Sequence, residues 1–270
     1  MHITDHGPTR KPATSARIYD SYLGGVHNFP ADRHTADTIS TYLPRAANAA
    51  RANRAFVRHA VRDILGAGVR QFLDIGAGIP TPDHNVHDLA RTTAPDTRVV
   101  YVDSDSSTVA ELLERLSDPE HADAIRSDLR TPQTILTHRT VRRMIDFTEP
   151  VGLLLAAVLH YLPDTDQAHH AVAYLTEALP VGSYVVISHP AAETYPPQSP
   201  QYTAAMRTYQ QYTGHHPTPR DHDTVQKFFA GLQLLDPGLV DAHHWHTPPA
   251  PQPAEPTAES GVWVGVGAKT

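Results

Sequence analysis

Two glycines and a carboxylate follow a short apolar run in segment 70–81, which reads RQFLDIGAGIPT. The apolar run is typical of a central strand in a parallel sheet, because such strands are buried on both faces. Gly76 and Gly78, on either side of Ala77, allow a tight turn and a close approach of the backbone to a ligand. With Asp74 at the end of the run, the segment predicts a strand that leads into a ligand-binding loop.

A second apolar run, 98–105, also ends in carboxylates and reads RVVYVDSD. In doubly wound α/β folds, a carboxylate after the second strand binds a ribose diol. Asp103 and the adjoining Ser104 are therefore predicted to contact the sugar of a nucleoside-containing cofactor. A glycine turn in an α/β protein that binds no ligand is the alternative.

The residues after the glycines discriminate between two classes of cofactor. Dinucleotide sites place a third small residue in the loop, so that the next helix can hold a pyrophosphate at its N-terminus. Here Thr81 has that position between Pro80 and Pro82, which stiffens the loop and disfavours a pyrophosphate. S-adenosylmethionine has no phosphate and needs contacts to its amino-acid part, its ribose and its adenine. The sequence therefore favours S-adenosylmethionine over NAD.

The composition excludes several other functions. The 270 residues suffice for one α/β core with additions, and the absence of cysteine excludes disulfides and thiolate chemistry. A net charge of −7 argues against a nucleic-acid partner. The 19 histidines are scattered without the spacing of a metal site, so no metal is expected.

Five arginines recur along one predicted helix, and its other face is apolar. We interpret them as a solvated amphipathic face rather than as a binding surface. These residues are Arg45, Arg51, Arg54, Arg58 and Arg62.

A membrane span needs about 18 apolar residues in a row, and no apolar run in the sequence is close to that length. The N-terminus also lacks a hydrophobic signal core. We therefore expect a cytoplasmic protein without a membrane partner. The sequence does not define an oligomeric state.

Strand and helix signals alternate from residue 70 onward. This alternation predicts a Rossmann-like α/β fold, with a seven-stranded, mostly parallel sheet, one antiparallel strand, and helices on both faces. The later strands are predicted at 121–127, 151–159, 182–188, 232–240 and 261–269, with a proline-rich linker at 247–257.

Two segments are predicted as additions to this core. Residues 1–65 form an N-terminal helical cap segment and a helix, and residues 66–270 form the main domain. The main domain carries a proline- and tyrosine-rich insertion at about 190–220, with one short helix, and a further helix is predicted to start at Thr218-Pro219.

Residues 15–33 combine aromatic, glycine and charged residues without a clean period. Such a segment suits a cap that closes over a ligand, with Arg17 and Tyr19 as candidate cofactor contacts. The alternative is a helix and a loop that cover one edge of the sheet.

Several motifs together resemble one known family. They are SARIYDSYLGGVHNF at 15–29, QFLDIGAGIPT at 71–81, VVYVDSD at 99–105, SDLR at 127–130, LLLAAVLHYLPD at 153–164 and GSYVVISH at 182–189. The chain resembles the class I S-adenosylmethionine-dependent methyltransferases, and within them a bacterial group of S-adenosyl methyltransferases. It departs from the wider superfamily at Pro80, which replaces the third glycine of the common loop.

The resemblance implies roles for individual residues. Asp103 binds the ribose, Asp128 and Leu129 flank the adenine, and the turn from Val158 to His160 lines the floor of the site. The residues that border the methionine part are Asp74, Gly76, Ala77 and Gly78.

Methyl transfer is an in-line displacement, and much of its rate can come from alignment in a dry pocket. An oxygen or nitrogen nucleophile must also lose a proton, for which histidine is a natural base. His189 and, in second place, His160 follow predicted parallel strands at the edge where α/β sheets bind ligands. The alternative is that both are hydrogen-bonded surface histidines.

The leading interpretation is an S-adenosylmethionine-dependent methyltransferase that acts on the oxygen or nitrogen of a small molecule. The chain lacks an NPPY-like sequence after the fourth strand, which counts against nucleic-acid bases as acceptors. A non-enzymatic S-adenosylmethionine-binding sensor or regulatory protein is the alternative.

Overall fold

The computed structural model describes residues 12–80, 85–245 and 259–270. Thr81 and Pro82 of the glycine loop, and the predicted linker at 247–257, lie outside these ranges. The described ranges contain eight strands: β1 (Gln71–Ile75), β2 (Arg98–Asp103), β3 (Ala122–Arg126), β4 (Gly152–Ala156), β5 (Tyr184–Pro190), β6 (Gln233–Leu234), β7 (Val240–Asp241) and β8 (Val262–Ala268).

The strands form one sheet in the order β3-β2-β1-β4-β5-β8-β6, and β7 also pairs with β8. Strands β1 to β5 are parallel, and β8 runs antiparallel to its neighbours β5, β6 and β7. The prediction of a mostly parallel, Rossmann-like sheet with one reversed strand is therefore confirmed. Because β1 pairs with both β2 and β4, the strand order reverses there, and such a switch point is where open α/β sheets bind ligands.

Three strand boundaries differ from the prediction. The strand expected at 232–240 is two short strands, because Pro237 has no amide to donate and Gly238 turns the chain with φ 92°. The fourth strand ends at Ala156 rather than at residue 159, and the fifth extends to Pro190.

Helices cover both faces of the sheet. The helices are α1 (Ser15–Tyr22), α2 (Pro30–Tyr42), α3 (Ala46–Gly66), α4 (Val86–Arg91), α5 (Ser106–Arg115), α6 (Pro132–Thr137), α7 (Arg139–Met144), α8 (Thr165–Ala178), α9 (Pro200–Thr213) and α10 (His222–Gln226). In the parts of the chain that the structure describes, every helix is too short or too polar to span a lipid bilayer.

Successive side chains of the central strands point to opposite faces of the sheet, and this produces two apolar cores. Phe72 and Leu154 point to the face covered by α3, α4 and α5, whereas Leu73 and Leu153 point to the face covered by α6, α7 and α8. All four side chains are fully buried. This near-continuous apolar sequence is required of strands that have helices on both sides.

Helix α3 has the predicted amphipathic character. Its apolar side, which includes Phe56 and Val61, packs on the sheet, and Arg51 and Arg62 are exposed. Arg54 and Arg58 depart from the predicted solvated face, because both are partly buried, and Arg54 also lies near Asp74.

A third, smaller core joins the N-terminal segment to the insertion. Ile18 of α1 and Ile39 of α2 pack with Met206 of α9. Residues 15–33 are thus largely helical, although the sequence lacks a clean apolar period. The period is missing because charged side chains, including Arg17 and Asp32, occupy buried positions.

These charges form a compact polar anchor. The Asp32 carboxylate accepts hydrogen bonds from the Thr14 amide at 3.0 Å, the Phe29 amide at 2.8 Å and Arg17 Nε at 2.9 Å. The Arg17 guanidinium also donates to the Pro12 carbonyl and lies 5.2 Å from the centre of the Phe29 ring. Asp32 therefore ties together both helices of the cap.

The insertion is more regular than the sequence indicates. Its helix, α9, has 14 residues rather than being short. The following helix begins at His222 instead of Pro219, because the Asp221 side chain accepts a hydrogen bond from the Thr224 amide and so caps it.

We expect Asp32→Asn to destabilise the cap, because Arg17 would keep a buried charge without its counter-charge. The loss of one partner from a buried pair costs about 3–5 kcal/mol. Hydrogen exchange across residues 15–42 and urea unfolding measure the effect. Asp37→Asn, at an exposed position on the same helix, is the control. Equal protection in both variants would show that the pair does not hold the cap.

Candidate functional site

The glycine loop after β1 is fixed to the end of β2. The Gly76 and Ala77 amides donate to the Val102 carbonyl at 2.8 and 3.2 Å, and the Gly78 amide donates to Asp103 Oδ2 at 3.1 Å. Gly76 and Gly78 have φ values of 74° and 65°, in the left-handed region. Glycine adopts this region without strain, so the loop geometry accounts for both glycines.

The two glycines also face different surroundings. A Cβ atom at Gly76 would lie 2.4 Å from Val158 Cγ2, so a larger residue would displace the turn after β4. A Cβ atom at Gly78 would have Ala16 of α1, 4.0 Å away, as its nearest neighbour. The loop is therefore packed against the β4 turn on one side and approached by the cap on the other.

Asp103 is placed to accept further hydrogen bonds. Its Oδ1 accepts from the Asp105 amide at 2.9 Å, and its Oδ2 accepts from Gly78. Burial raises the pKa of this carboxyl, and the backbone amides act against that shift. Because each carboxylate oxygen can accept a second hydrogen bond, Asp103 suits a vicinal diol. Ser104 beside it is exposed.

The Asp74 carboxylate receives no hydrogen bond from the residues that the structure describes. Burial raises the pKa of Asp74 to about 7; the Arg54 guanidinium lowers it, and the Asp103 charge raises it further. Arg54 Nε is itself buried and has no hydrogen-bond partner in the described ranges. The Asp74 carboxylate, which the sequence analysis recognised, favours a cationic or amino-bearing group of a ligand, and Arg54, which it did not recognise, favours an acceptor group.

Asp128 and Leu129 follow β3 on the same edge of the sheet. The Asp128 carboxylate accepts from the Arg130 amide at 2.8 Å and from Arg130 Nε at 3.0 Å, and these bonds lower its pKa. Leu129 is buried. Their predicted role beside an adenine ring stays a prediction.

The turn after β4 connects the glycine loop to the neighbouring strand. Ala157 has φ 50°, which is uncommon for a residue with a side chain. Its amide donates to Ser188 Oγ at 2.8 Å and to the Ser188 carbonyl at 3.1 Å. These bonds hold Val158 against Gly76. Non-glycine residues in this conformation concentrate at functional sites, because the surrounding structure must stabilise them.

His160 lies in a short 3₁₀ turn, Leu159–Tyr161, and is buried. Its Nδ1 has no hydrogen-bond partner in the described ranges. Burial lowers the pKa of His160 to about 3, with further contributions from Arg220 and His215. The ring is therefore a neutral imidazole at pH 7, with a polar nitrogen that no described residue satisfies.

His189 is within β5, opposite Trp263 of β8, rather than after the strand as predicted. Its Nδ1 is 2.9 Å from the Pro190 carbonyl, and its Nε2 is 2.9 Å from Arg220 Nη1. Since arginine only donates, Nε2 must be the acceptor and Nδ1 must carry the proton. The lone pair that a base needs is thus occupied, and the geometry favours a structural role for His189.

Arg220, which the sequence analysis did not single out, organises this region. Besides His189, its guanidinium donates to the carbonyl oxygens of Leu159 and Leu162, at 3.2 and 2.5 Å. It therefore links the turn that carries His160 to β5. Burial lowers the pKa of Arg220.

The two cap residues predicted near the cofactor have different surroundings. The Arg17 guanidinium bonds to Asp32 and to the Pro12 carbonyl, and these contacts favour an anchoring role. The Tyr19 hydroxyl donates to the Ala50 carbonyl at 3.0 Å and accepts from Asn53 Nδ2 at 2.8 Å. This arrangement leaves Asn53 Oδ1 buried without a described partner.

A cavity of about 190 Å³ adjoins these residues. Its walls come from α1, α2, α3, α9 and the turn after β4, and include Tyr19, Asn53, Ala157 and His160. Within the described ranges, no group of three or more histidine and acidic side chains is placed to hold a metal ion.

The fold is Rossmann-like, and comparisons with known proteins identify an S-adenosylmethionine-dependent methyltransferase. The model of the S-adenosyl methyltransferase family matches residues 7–270, so the chain belongs to that family. No match was found among curated proteins.

Solved structures support the same assignment. A DUF574 family protein from Streptomyces avermitilis MA-4680 is 37% identical, with a TM-score of 0.84 over 96% of this chain and 98% of that one. A candidate methyltransferase from Thermobifida fusca YX is 33% identical, with a TM-score of 0.82 over 96% and 95%. The plantazolicin methyltransferase BpumL, solved with S-adenosylhomocysteine, is 12% identical over 94% and 95%, and its TM-score of 0.52 shows a shared fold.

The side chains at the sheet edge fit S-adenosylmethionine. Asp103 retains acceptor capacity for a ribose diol, and the Asp74 carboxylate, which no described residue engages, matches the cationic methionine part. Gly78 lets the backbone approach a ligand without a side chain in between. The fit rests on these donor and acceptor sets.

We expect Asp74→Asn to stabilise the ligand-free protein at pH 7 and to weaken cofactor binding. The folded pKa of about 7 lies above the unfolded value, about 3.9. Between these values the native state keeps a proton that the unfolded chain releases, so this group loses stability as the pH rises. Asparagine removes that cost, which amounts to about 2–4 kcal/mol at 1.4 kcal/mol per pKa unit.

Urea unfolding of wild type and Asp74→Asn at about pH 5, inside this window, and at about pH 7.5, above it, measures the difference. The stability advantage of the variant should be larger at the higher pH. An advantage that does not change with pH would show that Asp74 does not titrate in this range.

Proposed function

We propose that this S-adenosylmethionine-dependent methyltransferase acts on a small molecule that binds in the cavity beside the glycine loop. One observation carries the proposal: two structural elements border both the glycine loop and the cavity. The turn after β4 packs Val158 on Gly76 and contributes Ala157 and His160 to the cavity. Helix α1 brings Ala16 next to Gly78 and lines the cavity with Tyr19.

The cofactor would be held by residues at the sheet edge. Asp103 would accept hydrogen bonds from the ribose hydroxyls, and Asp74 would face the cationic methionine part. S-adenosylmethionine, when bound, supplies an electrophilic methyl group. The chain contributes alignment and the exclusion of water, which account for much of the rate of such displacements.

The acceptor would lie among the residues of the cavity. Its lining is mostly apolar, and an apolar site with a few polar atoms is typical of small-molecule pockets. Of the two predicted histidines, His160 has a ring nitrogen that no described residue engages, and it could receive a proton from the acceptor. His189 would keep the turn in place through Arg220.

We expect Asp103→Asn to raise the Kd for S-adenosylhomocysteine about 10- to 100-fold, because a hydrogen bond to a charged group contributes about 1.5–3 kcal/mol. Titration calorimetry measures this effect. Glu114→Gln, at an exposed position on α5, is the control. An unchanged Kd would remove Asp103 from the cofactor site.

The position of the acceptor is tested by filling the cavity. Ala46 of α3 lines it, and Ala55 of the same helix is exposed. The proteins are incubated with methyl-labelled S-adenosylmethionine and a small-molecule extract of the organism that makes the protein, and labelled products are identified by mass spectrometry. Ala46→Phe should abolish product and keep S-adenosylhomocysteine binding, whereas Ala55→Phe should retain both. Full activity of Ala46→Phe would place the acceptor elsewhere.

A further inference from the structure

The cavity has no ionised side chain in its described lining. Aspartate, glutamate, lysine and arginine are absent from it, and its two histidines, His160 and His189, have pKa values well below neutrality because of burial. A charged group that enters such a site without a counter-charge loses its hydration without compensation. The cavity therefore disfavours ammonium, carboxylate and phosphate groups.

Six tyrosine rings lie in the walls of the cavity, and most of their hydroxyls are already bonded. The Tyr161 and Tyr209 hydroxyls are 2.7 Å apart, Tyr22 donates to the Ala36 carbonyl at 3.3 Å, and Tyr202 donates to the Pro217 carbonyl. The six tyrosines are Tyr19, Tyr22, Tyr161, Tyr195, Tyr202 and Tyr209. Rings held in this way present apolar surface and suit another planar ring by offset or edge contacts.

Few polar atoms remain for a ligand. Among the described lining residues, four polar atoms are buried without a partner: His160 Nδ1, Asn53 Oδ1, the Tyr195 hydroxyl and Ser15 Oγ. His160, Asn53 and Tyr195 are each more than nine-tenths buried as residues. Buried polar atoms that lack a partner are costly, so a ligand that satisfies them gains affinity.

A ligand hydroxyl can form a hydrogen bond with the unpartnered His160 nitrogen in either tautomer of the ring. The neutral imidazole carries one N–H and one lone pair, and the structure provides no described partner that fixes which nitrogen has which. A hydroxyl both donates and accepts, whereas the nitrogen of an aromatic amine shares its lone pair with the ring and accepts poorly. An aliphatic amine is an ammonium ion near pH 7, which the lining disfavours.

We propose that the acceptor is an uncharged phenol that binds among the tyrosine rings and donates its hydroxyl hydrogen bond to His160 Nδ1. The inference rests on the proposed function, because it names the acceptor class of the same cavity. The cavity is of the same order of size as an engineered apolar cavity of about 150 Å³ that accommodates benzene. One aromatic ring therefore fits.

The transfer balances in atoms and charge. The phenol oxygen forms a bond to the methyl carbon, the carbon–sulfur bond breaks with its electron pair retained by sulfur, and the hydroxyl proton passes to His160 Nδ1. The single positive charge of the reacting groups is on sulfur before the step and on the imidazole after it. The net charge inside the buried site is thus unchanged during the step. Because burial and Arg220 lower the pKa of His160, the imidazole holds this proton only transiently and passes it to solvent.

Four single-ring probes test the acceptor class on protein saturated with S-adenosylhomocysteine. Calorimetry at pH 7.5 compares p-cresol, p-toluidine, benzylamine and benzoate, which carry a phenol, a neutral aromatic amine, a cation and an anion. We expect p-cresol to bind and the two charged probes to bind at least about tenfold more weakly. Failure of p-cresol to bind, or equal or tighter binding of any other probe, would overturn the proposal.

The variant His160→Phe tests the hydrogen bond between the phenol hydroxyl and His160. It keeps an aromatic ring of similar size, and we expect p-cresol to bind about tenfold more weakly with unchanged S-adenosylhomocysteine affinity. His170→Phe, at an exposed position on α8, is the control. Unaltered p-cresol affinity in a folded His160→Phe protein would remove His160 from the contact. Loss of S-adenosylhomocysteine binding in wild type would instead contradict the proposed function, so the two failures are distinguishable.

Discussion

The contact between the glycine loop and the turn after β4 is the constraint on which the site depends. Gly76 has no side chain, and this lets Val158 pack on the loop. The same loop is held to the end of β2 by the Gly78 amide and Asp103. The ends of β1, β2 and β4 are thereby fixed together at the point where the strand order reverses. A substitution at Gly76 would consequently disturb both the residues at the ends of β1 and β2 and the turn that carries His160.

The site shows an electrostatic conflict that the fold by itself does not require. Asp74 is desolvated next to Asp103, and Arg54 compensates it only in part. His160 lies near Arg220, which disfavours its protonation. Both arrangements reduce the stability of a ligand-free protein over part of the pH range, and natural proteins accept such costs mainly at functional sites. The conflict is resolved if a cationic ligand meets Asp74 and an uncharged one meets His160.

The parts of the structure that could be predicted from sequence are those with a local signal. The apolar run before Gly76 and the carboxylate Asp103 after β2 define their own strand ends, because burial and turn chemistry act over a few residues. His189 could not be placed in this way, because the hydrogen bond that occupies its lone pair comes from Arg220, 31 residues further along the chain. Arg54 resembles the other arginines of α3 in sequence, and only the packing of α3 on the sheet, near Asp74, distinguishes it. Roles that depend on long-range contacts require the structure.

The cap also depends on long-range contacts that the sequence does not reveal, and it sets the shape of the cavity. Its helices α1 and α2 are joined by the buried Asp32 and its three hydrogen bonds, and Tyr19 joins α1 to α3 through the Ala50 carbonyl. These bonds are directional, whereas apolar packing alone would permit the helices to slide. One wall of the cavity is therefore positioned by polar contacts within the protein. The fold itself, rather than the acceptor, then determines the arrangement of tyrosine rings around His160, as is common in preformed ligand sites.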